Sequence, residues 1–158
     1  MKLVFFGSGA FGVPTLRELV AAHEVSLIVT QPDRKAGRGG KLTPTPIAAW
    51  AQQHGGGVPV LKPERVNQQE VRDAIRAENA DAWVVIAFGQ KLGHRLLEGV
   101  FAVNLHASLL PRWRGAAPIH HAIIAGDLVT GNSVITLVDE MDAGDVLGTS
   151  TRPIADDV

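Results

Sequence analysis

Residues 104–108 follow an apolar run and contain polar side chains that can hydrogen-bond a small reacting group. Residues 100–103 are apolar, and they lead into an amide at Asn104 and an imidazole at His106. A strand that ends in polar residues is typical of the carboxyl edge of an open α/β sheet, where ligands bind. Because residues two apart on an extended strand face the same way, Asn104 and His106 can present a hydrogen-bond donor and an imidazole together.

The scaffold that positions these residues is predicted to be α/β, because strand-like apolar runs alternate with helical patterns along the chain. We expect a doubly wound, mostly parallel sheet with helices on both faces. The predicted strands are 2–6, 25–30, 58–61, 82–87, 133–138 and 146–150. One helix is predicted directly after the turn at 7–12, and the other predicted helices are 47–54, 67–77, 92–97 and 115–125. Thr45 or Pro46 is predicted to open one helix, and Asn67 with Glu70 forms a capping-box pattern at another.

Glycines at positions 7, 9 and 12 form the pattern G-x-G-x-x-G between a predicted strand and a predicted helix. This pattern allows a dinucleotide pyrophosphate to approach the start of a helix. The same fingerprint requires an acidic residue at the end of the second strand, where this chain has Thr30 and Gln31. A tight turn that packs the helix on the strand is therefore favoured, and a dinucleotide-binding module without chemistry is kept as an alternative.

The segment 31–46 is rich in proline, glycine and cations, and it is predicted to be a loop without regular structure. Cations that are flanked by glycines suit the close approach to a phosphate backbone. A solvated loop whose charges only keep it in water explains the composition equally well. The cations are Arg34, Lys35, Arg38 and Lys41, against the single acid Asp33.

Composition limits the classes of function. The 158 residues have room for one domain, and the formal net charge of −1 gives no overall attraction to nucleic acid or membrane. Cysteine is absent, which excludes thiolate chemistry and disulfides. No apolar run is long enough to cross a membrane, so we expect a cytoplasmic protein, and we expect a monomer. His120 and His121 are adjacent on a predicted helix and face apart, so no metal site is expected.

Several motifs together resemble the signature of the folate-dependent formyltransferases. They are Asn104-x-His106-x-Ser108-Leu109-Leu110-Pro111, then Arg114-Gly115, then Asp142-x-Gly144. The stretch 105–117, with Gln31-Pro32-Asp33-Arg34 and Ala36-Gly37-Arg38-Gly39 upstream, is similar to the members of this family that formylate methionyl-tRNA. The resemblance implies a Rossmann-like formyltransferase fold, 10-formyltetrahydrofolate as the formyl donor, and the amino group of initiator methionyl-tRNA as the acceptor in translation initiation.

The resemblance also implies roles for particular positions. Asn104, His106 and Asp142, hereafter the polar trio, occupy the family's catalytic positions. The positions implied in folate binding are Phe88, Gly89, Gln90, Leu92, Ser108, Leu109, Leu110, Pro111, Asp139, Met141 and Gly144. The positions implied in contacting tRNA are Arg34, Lys35, Arg38 and Lys41. In such enzymes the glycine-rich first turn binds no dinucleotide.

Formyl transfer needs the residue types of the polar trio. An amine that attacks the formyl carbon creates an oxyanion, and donors must already point to the place where that charge develops. The Asn104 amide and a protonated His106 can supply them, and a carboxylate nearby favours a cationic imidazole. Asp142 can relay a proton from the amine to N10 of the departing folate. As alternatives, a strand-end histidine can be structural and an aspartate before a glycine can be a turn former.

The resemblance covers most of the family's catalytic domain and nothing beyond it. We therefore expect residues 1–158 to form a formyltransferase catalytic domain that is incomplete at its C-terminal end, and we expect the family's C-terminal tRNA-binding barrel to be absent. Glycinamide ribonucleotide and an amino sugar are alternative acceptors for the same polar trio. The basic segment 34–41 favours an RNA acceptor over both.

Overall fold

The structure is a computed structural model that describes residues 1–36 and 40–155. The chain divides into two compact units, Met1–Ala102 and Val103–Val158. The strands described in the first unit are β1 (Lys2–Gly7), β2 (Glu24–Val29), β3 (Arg34–Ala36), β4 (Lys41–Thr43), β5 (Val60–Leu61) and β6 (Ala82–Ile86). Its helices are α1 (Val13–Ala22), α2 (Pro46–His54), α3 (Gln69–Arg76) and α4 (His94–Leu97), and a 3₁₀ turn, Ala10–Gly12, precedes α1.

The larger sheet of the first unit is parallel, with the strand order β5-β2-β1-β6. The chain builds outward from β1 to β2 and β5, and it then returns to pair β6 with the other side of β1. Because crossovers between parallel strands are right-handed, this reversal sends the two sets of crossover helices to opposite faces of the sheet. The reversal creates a topological switch point between β1 and β6, the position where open α/β sheets bind ligands.

β1 lies at the centre of this sheet and is buried along most of its length. Val4, Phe5 and Phe6 have no exposed surface. A parallel strand that is covered on both faces has a continuous apolar sequence instead of an alternating one, and this explains the composition of β1. The Phe6 ring lies 5.2 Å from the ring of Trp83 in β6 and 5.6 Å from the ring of Phe88. These aromatic contacts form the core beneath the switch point.

The strands of the second unit are antiparallel. The unit comprises β7 (Ala102–His106), which begins at the unit boundary, α5 (Pro118–Ile124), β8 (Val129–Thr136) and β9 (Val146–Pro153). β8 pairs with β7 on one side and with β9 on the other. Every second residue of β8 is buried at Gly131, Ser133 and Ile135, as expected for an antiparallel strand with one covered face. With parallel strands in the first unit, the predicted α/β class with a doubly wound, mostly parallel sheet is confirmed.

The glycine pattern at residues 7–12 is a packing turn. A Cβ atom on Gly7 would lie 2.6 Å from Cε1 of Phe5, and one on Gly12 would lie 3.3 Å from Cζ of the same ring. Ser8, between them, donates its hydroxyl to the carbonyl of Phe88 at 2.8 Å. The chain's own atoms therefore fill the space around this turn, which supports the packing interpretation over a dinucleotide site.

Several local predictions were wrong. The segment 31–46 is not an irregular loop throughout, because β3 and β4 pair as an antiparallel hairpin. α3 begins at Gln69 and has no side-chain cap. Asn67 instead bridges a later loop, with its amide donating to the Lys91 carbonyl and its oxygen accepting from the Gly93 N–H, both at 2.8 Å. α5 begins at Pro118, three residues later than predicted. At α2 the prediction was right, since the Thr45 hydroxyl caps the helix by accepting from the Ala48 N–H.

Candidate active site

The first two members of the polar trio lie on β7. Asn104 pairs with Ile135 and His106 pairs with Ser133 in the antiparallel ladder with β8. Both residues are therefore part of the extended strand, and their spacing of two puts them on the same face, as predicted. His106 is buried and Asn104 is half-buried. The strand thus supplies an amide and an imidazole whose backbones are fixed by sheet hydrogen bonds.

Asp142 approaches these residues from the turn between β8 and β9. Its Oδ1 lies 3.5 Å from Nδ2 of Asn104, and its Oδ2 lies 3.6 Å from Nδ1 of His106. The His106 and Asp142 side chains are only 8% and 12% exposed, so water screens the electrostatic interaction between them poorly. Asp142 has a left-handed backbone with φ of +49°, which aspartate tolerates better than most residues. The structure therefore brings together all three members of the polar trio.

Two main-chain groups of the loop after β7 complete this arrangement. The Trp113 carbonyl lies 2.8 Å from Nε2 of His106, and the Gly115 N–H donates to Oδ2 of Asp142 at 2.8 Å. Since a carbonyl only accepts, Nε2 of His106 must carry a hydrogen, and Nδ1 is left facing the carboxylate. An imidazolium ring provides a donor on both nitrogens and satisfies both neighbours. Sequence analysis missed both groups, because main-chain contacts of this kind leave no signal in residue type.

The turn that carries Asp142 closes tightly onto the end of β8. The Asp145 N–H donates to the Thr136 hydroxyl at 2.9 Å, and the Thr136 N–H donates to the Asp145 carbonyl at 3.0 Å. A Cβ atom on Gly144 would lie 1.7 Å from the Thr136 carbonyl oxygen. Because that distance is impossible between non-bonded atoms, glycine is required here for the turn to hold Asp142 in place.

The predicted folate-binding positions of the second unit differ in what their polar groups do. Ser108 is fully buried, and its hydroxyl donates to the Arg112 carbonyl at 2.6 Å. Its carbonyl accepts from the Ser133 hydroxyl, which in turn accepts from the Leu110 N–H. Ser108 therefore holds the loop together and has no free hydroxyl proton for a ligand. Leu109 and Leu110 are half-buried, and Pro111, Asp139 and Met141 are exposed.

The predicted folate-binding loop of the first unit, 88–92, is fixed mainly by side chains. The Phe88 carbonyl accepts from Gln31 as well as from Ser8. The Gln90 amide accepts from the Val66 N–H at 2.8 Å and donates to the Pro63 carbonyl at 3.0 Å. Within residues 1–36 and 40–155, the backbone N–H groups of Gly89, Gln90 and Leu92 have no hydrogen-bond partner. Three backbone donors are thus left for a ligand.

Three of the four predicted tRNA-contacting cations, Arg34, Lys35 and Lys41, lie on the hairpin of β3 and β4. Its register pairs Arg34 with Thr43 and Lys35 with Leu42, so Arg34 and Lys41 share one face and Lys35 lies on the other. All three are exposed, and Arg34 forms an ion pair with Glu64 at 3.0 Å. Arg38 lies outside the described residues. In the described part of the chain, no group of three His, Cys, Asp or Glu is placed to hold a metal ion, and no helix is long and apolar enough to cross a membrane.

Comparison with known proteins identifies the class that this fold and the polar trio define. The sequence pattern of the family described as "Formyl transferase" matches residues 1–157. The chain therefore belongs to the formyl transferase family.

Individual relatives of known name allow a more specific comparison within the family. The chain is 47% identical over 161 residues to the methionyl-tRNA formyltransferase of Methylobacillus flagellatus, covering 99% of this chain and 51% of that protein. It is 46% identical over 159 residues to the methionyl-tRNA formyltransferase of Nitrobacter winogradskyi, covering 99% of this chain and 50% of that protein. The chain spans about half the length of the curated relatives that it matches.

A solved structure shows the same fold. The phosphoribosylglycinamide formyltransferase of Bacillus halodurans matches with a TM-score of 0.78 over 100% of this chain and 82% of that chain. The two sequences are 22% identical, so this similarity concerns the fold alone.

Proposed function

We propose that this chain carries the transfer chemistry of a methionyl-tRNA formyltransferase, which moves a formyl group from 10-formyltetrahydrofolate to the amino group of initiator methionyl-tRNA. The observation that carries the proposal is the polar trio, in which the carboxylate of Asp142 lies 3.5 Å from the Asn104 amide and 3.6 Å from the His106 ring. The relatives named methionyl-tRNA formyltransferase support the choice of acceptor.

Asn104 and His106 stabilise the oxyanion that forms when the amine attacks the formyl carbon. One N–H of the Asn104 amide is directed toward Asp142, which leaves the second N–H for the oxyanion. Nδ1 of His106 lies 3.6 Å from Oδ2 of Asp142, which is too long for a strong hydrogen bond, so an N–H on this nitrogen remains available to the oxyanion. Because both groups are in place before the reaction, they need no reorganisation as the charge develops.

Asp142 accepts the proton that the attacking amine loses. Its Oδ2 is held by the Gly115 N–H at 2.8 Å, while Oδ1 makes only the long contact with Asn104 and keeps free lone pairs. The carboxylate then passes the proton to N10 of the departing folate, directly or through water. Each transfer begins and ends with Asp142 ionised, so the residue is ready for the next turnover.

The loop 88–92 supports a folate donor independently of the polar trio. The pteridine ring of a folate carries several hydrogen-bond acceptors and donors in one plane, and backbone amides of a fixed loop can match such a planar edge. The loop has free N–H groups at Gly89, Gln90 and Leu92, next to apolar side chains of Phe88 and Leu92 that are buried. We assign the pteridine ring of the donor to these backbone groups.

A direct assay tests the proposed function. A version of the protein that spans the full length of its relatives is given 10-formyltetrahydrofolate and, in turn, methionyl-tRNA, glycinamide ribonucleotide and an amino sugar. We expect formylation of methionyl-tRNA and little transfer to the other two acceptors. Preference for glycinamide ribonucleotide or the amino sugar would assign a different acceptor, and saturable binding of NAD without a response to a folate analogue would overturn the transferase proposal.

The cations of the basic segment 34–41 lead to a separate prediction about the acceptor. Arg38→Ala is expected to weaken methionyl-tRNA binding, because one phosphate contact is lost. The slope of the logarithm of the binding constant against the logarithm of the salt concentration should become less steep by about one unit. Arg38→Lys should have a smaller effect on affinity, since lysine keeps the charge but cannot bind phosphate in a bidentate manner. Folate binding should not change in either variant.

Arg17→Ala is the matched control for Arg38→Ala. Arg17 is exposed on α1 and contacts only its neighbour Glu18 in the described chain, so its loss should leave both the affinity and the salt slope unchanged. Equal affinity and slope for Arg38→Ala and Arg17→Ala would mean that the basic segment is a solvated connector.

A further inference from the structure

Asp127, in the connection between α5 and β8, binds two neighbouring side chains of the loop after β7. Its Oδ1 accepts from the Arg112 guanidinium at 2.9 Å, and its Oδ2 accepts from the Trp113 indole N–H at 2.8 Å. The Asp127 side chain is 13% exposed, whereas that of Arg112 is 62% exposed. The indole bond is therefore the better shielded of the two, and Asp127 is positioned mainly to hold Trp113.

Trp113 needs such an anchor because its backbone conformation is unfavourable. Its φ is +59°, in the left-handed region that bulky residues avoid. The side chain is held on three sides: Asp127 binds the indole N–H, the His121 ring stacks at 5.8 Å, and the Arg112 guanidinium lies 5.1 Å from the ring centre. An unfavourable backbone conformation is retained only where neighbouring groups hold the residue in place. For Trp113 these groups are Asp127, His121 and Arg112.

This conformation decides where two main-chain groups point. The carbonyl of Trp113 faces Nε2 of His106 at 2.8 Å. Two residues later, the N–H of Gly115, whose φ is +87°, donates to Oδ2 of Asp142 at 2.8 Å. One turn of backbone therefore contacts both His106 and Asp142, and the Trp113 side chain connects that turn to Asp127 and His121.

We propose that Asp127 is a positioning residue for formyl transfer, which acts through Trp113 on His106. By holding the indole, Asp127 fixes the carbonyl that accepts the Nε2 hydrogen of His106. Because the carbonyl can only accept, this hydrogen bond keeps a hydrogen on Nε2. It also fixes the ring orientation in which Nδ1 faces Asp142. The proposal rests on the proposed function, because the polar trio is the machinery that Asp127 positions.

Kinetics of Asp127 variants provide the first test, in the full-length protein. Asp127→Ala should lower kcat by about 10-fold to 10²-fold, the size expected when a catalytic group is displaced by up to about 1 Å. KM for the folate donor and for the acceptor should change little, because Asp127 is not among the positions implied in folate or tRNA binding. Asp127→Asn should recover part of the loss, since its amide oxygen can still accept from the indole. Trp113→Phe, which keeps an aromatic ring but removes the indole N–H, should resemble Asp127→Ala.

Asp73→Ala is the matched control, because it removes the same carboxylate from an exposed position on α3, outside the loop after β7. This variant should keep kcat within about 3-fold of the unaltered protein. That loss is much smaller than the loss of up to about 10²-fold expected for Asp127→Ala. Equal kcat for Asp127→Ala and the unaltered protein would overturn the proposal. If Asp127→Ala does not fold, Asp127→Asn and Trp113→Phe decide the question by the same comparison.

Nuclear magnetic resonance of His106 separates this proposal from the proposed function. In the unaltered protein, the Nε2 hydrogen should give a resolved proton signal that exchanges slowly with water, because it is buried and bonded to the Trp113 carbonyl. In Asp127→Ala the signal should shift and exchange faster. An unchanged signal would overturn the positioning role even if kcat fell. If the unaltered protein transferred no formyl group, the proposed function would fail, while a changed His106 signal would still support the positioning of His106 by Asp127.

Discussion

Replacing His106 by alanine should lower kcat for formyl transfer by about 10²- to 10³-fold, the usual cost of removing one preorganised donor from a developing oxyanion. Asn104→Ala should have an effect of similar size, because its amide supplies the second donor. Asp142→Ala should lose both the proton acceptor and the carboxylate 3.6 Å from the His106 ring. The dissociation constant of a folate analogue should change much less, since the polar trio acts in the transition state. Single-turnover kinetics measure the chemical step directly.

The polar trio should behave as one unit in double variants. His106→Ala combined with Asp142→Ala should lose little more activity than either change alone, because the second residue has lost the partner through which it acts. His120→Ala is the control, since His120 is exposed on α5 and lies outside the polar trio. Near-normal turnover in any single variant of the polar trio would remove that residue from the mechanism, and fully multiplicative losses would show that the residues act independently.

Two members of the polar trio, those on β7, could be placed from local sequence, and the third could not. A strand has a fixed period of two, so the spacing of Asn104 and His106 was sufficient to place them on one face. Asp142 lies 38 residues beyond Asn104, and only the resemblance to a family linked them. The contribution of Trp113 was not predictable, because it depends on a left-handed backbone at a tryptophan, which no propensity favours.

The same distinction between local and long-range information applies to the fold. In the first unit, the strands β1, β2, β5 and β6 were predictable because their apolar runs are continuous and short, whereas the polar hairpin of β3 and β4 was not. β8 begins at Val129, four residues before the predicted start, and the added stretch contains Gly131 and Asn132, which are poor strand formers. Its pairing with β9, as between Gly131 and Thr151, supplies the hydrogen bonds that override this preference. Asn67 has the sequence of a helix cap, and its side chain instead bonds a loop that lies far along the chain.

Gly144→Ala should be as damaging as a change within the polar trio, although Gly144 contributes no side chain. Its Cβ would lie 1.7 Å from the Thr136 carbonyl oxygen, so the turn at 142–145 must move away from β8. Asp142 would move with it, and a displacement of about 1 Å can cost about 10²-fold in rate. The overpacked strand end should also lower the free energy of unfolding by about 1–3 kcal/mol.

Gly148→Ala provides the matched control, because the same atom is added to a glycine of the adjoining strand β9. Among the described residues, no heavy atom other than those of Gly148 and its chain neighbours lies within 4 Å of the added Cβ. Stability should therefore change by less than about 1 kcal/mol, and kcat should be preserved. Denaturant unfolding and single-turnover kinetics on both variants separate the two effects. If Gly144→Ala lost stability but kept kcat under conditions where it remains folded, the turn would tolerate the displacement, and the position of Asp142 would not limit the rate. Equal behaviour of the two variants would contradict the close contact of Gly144 with β8 itself.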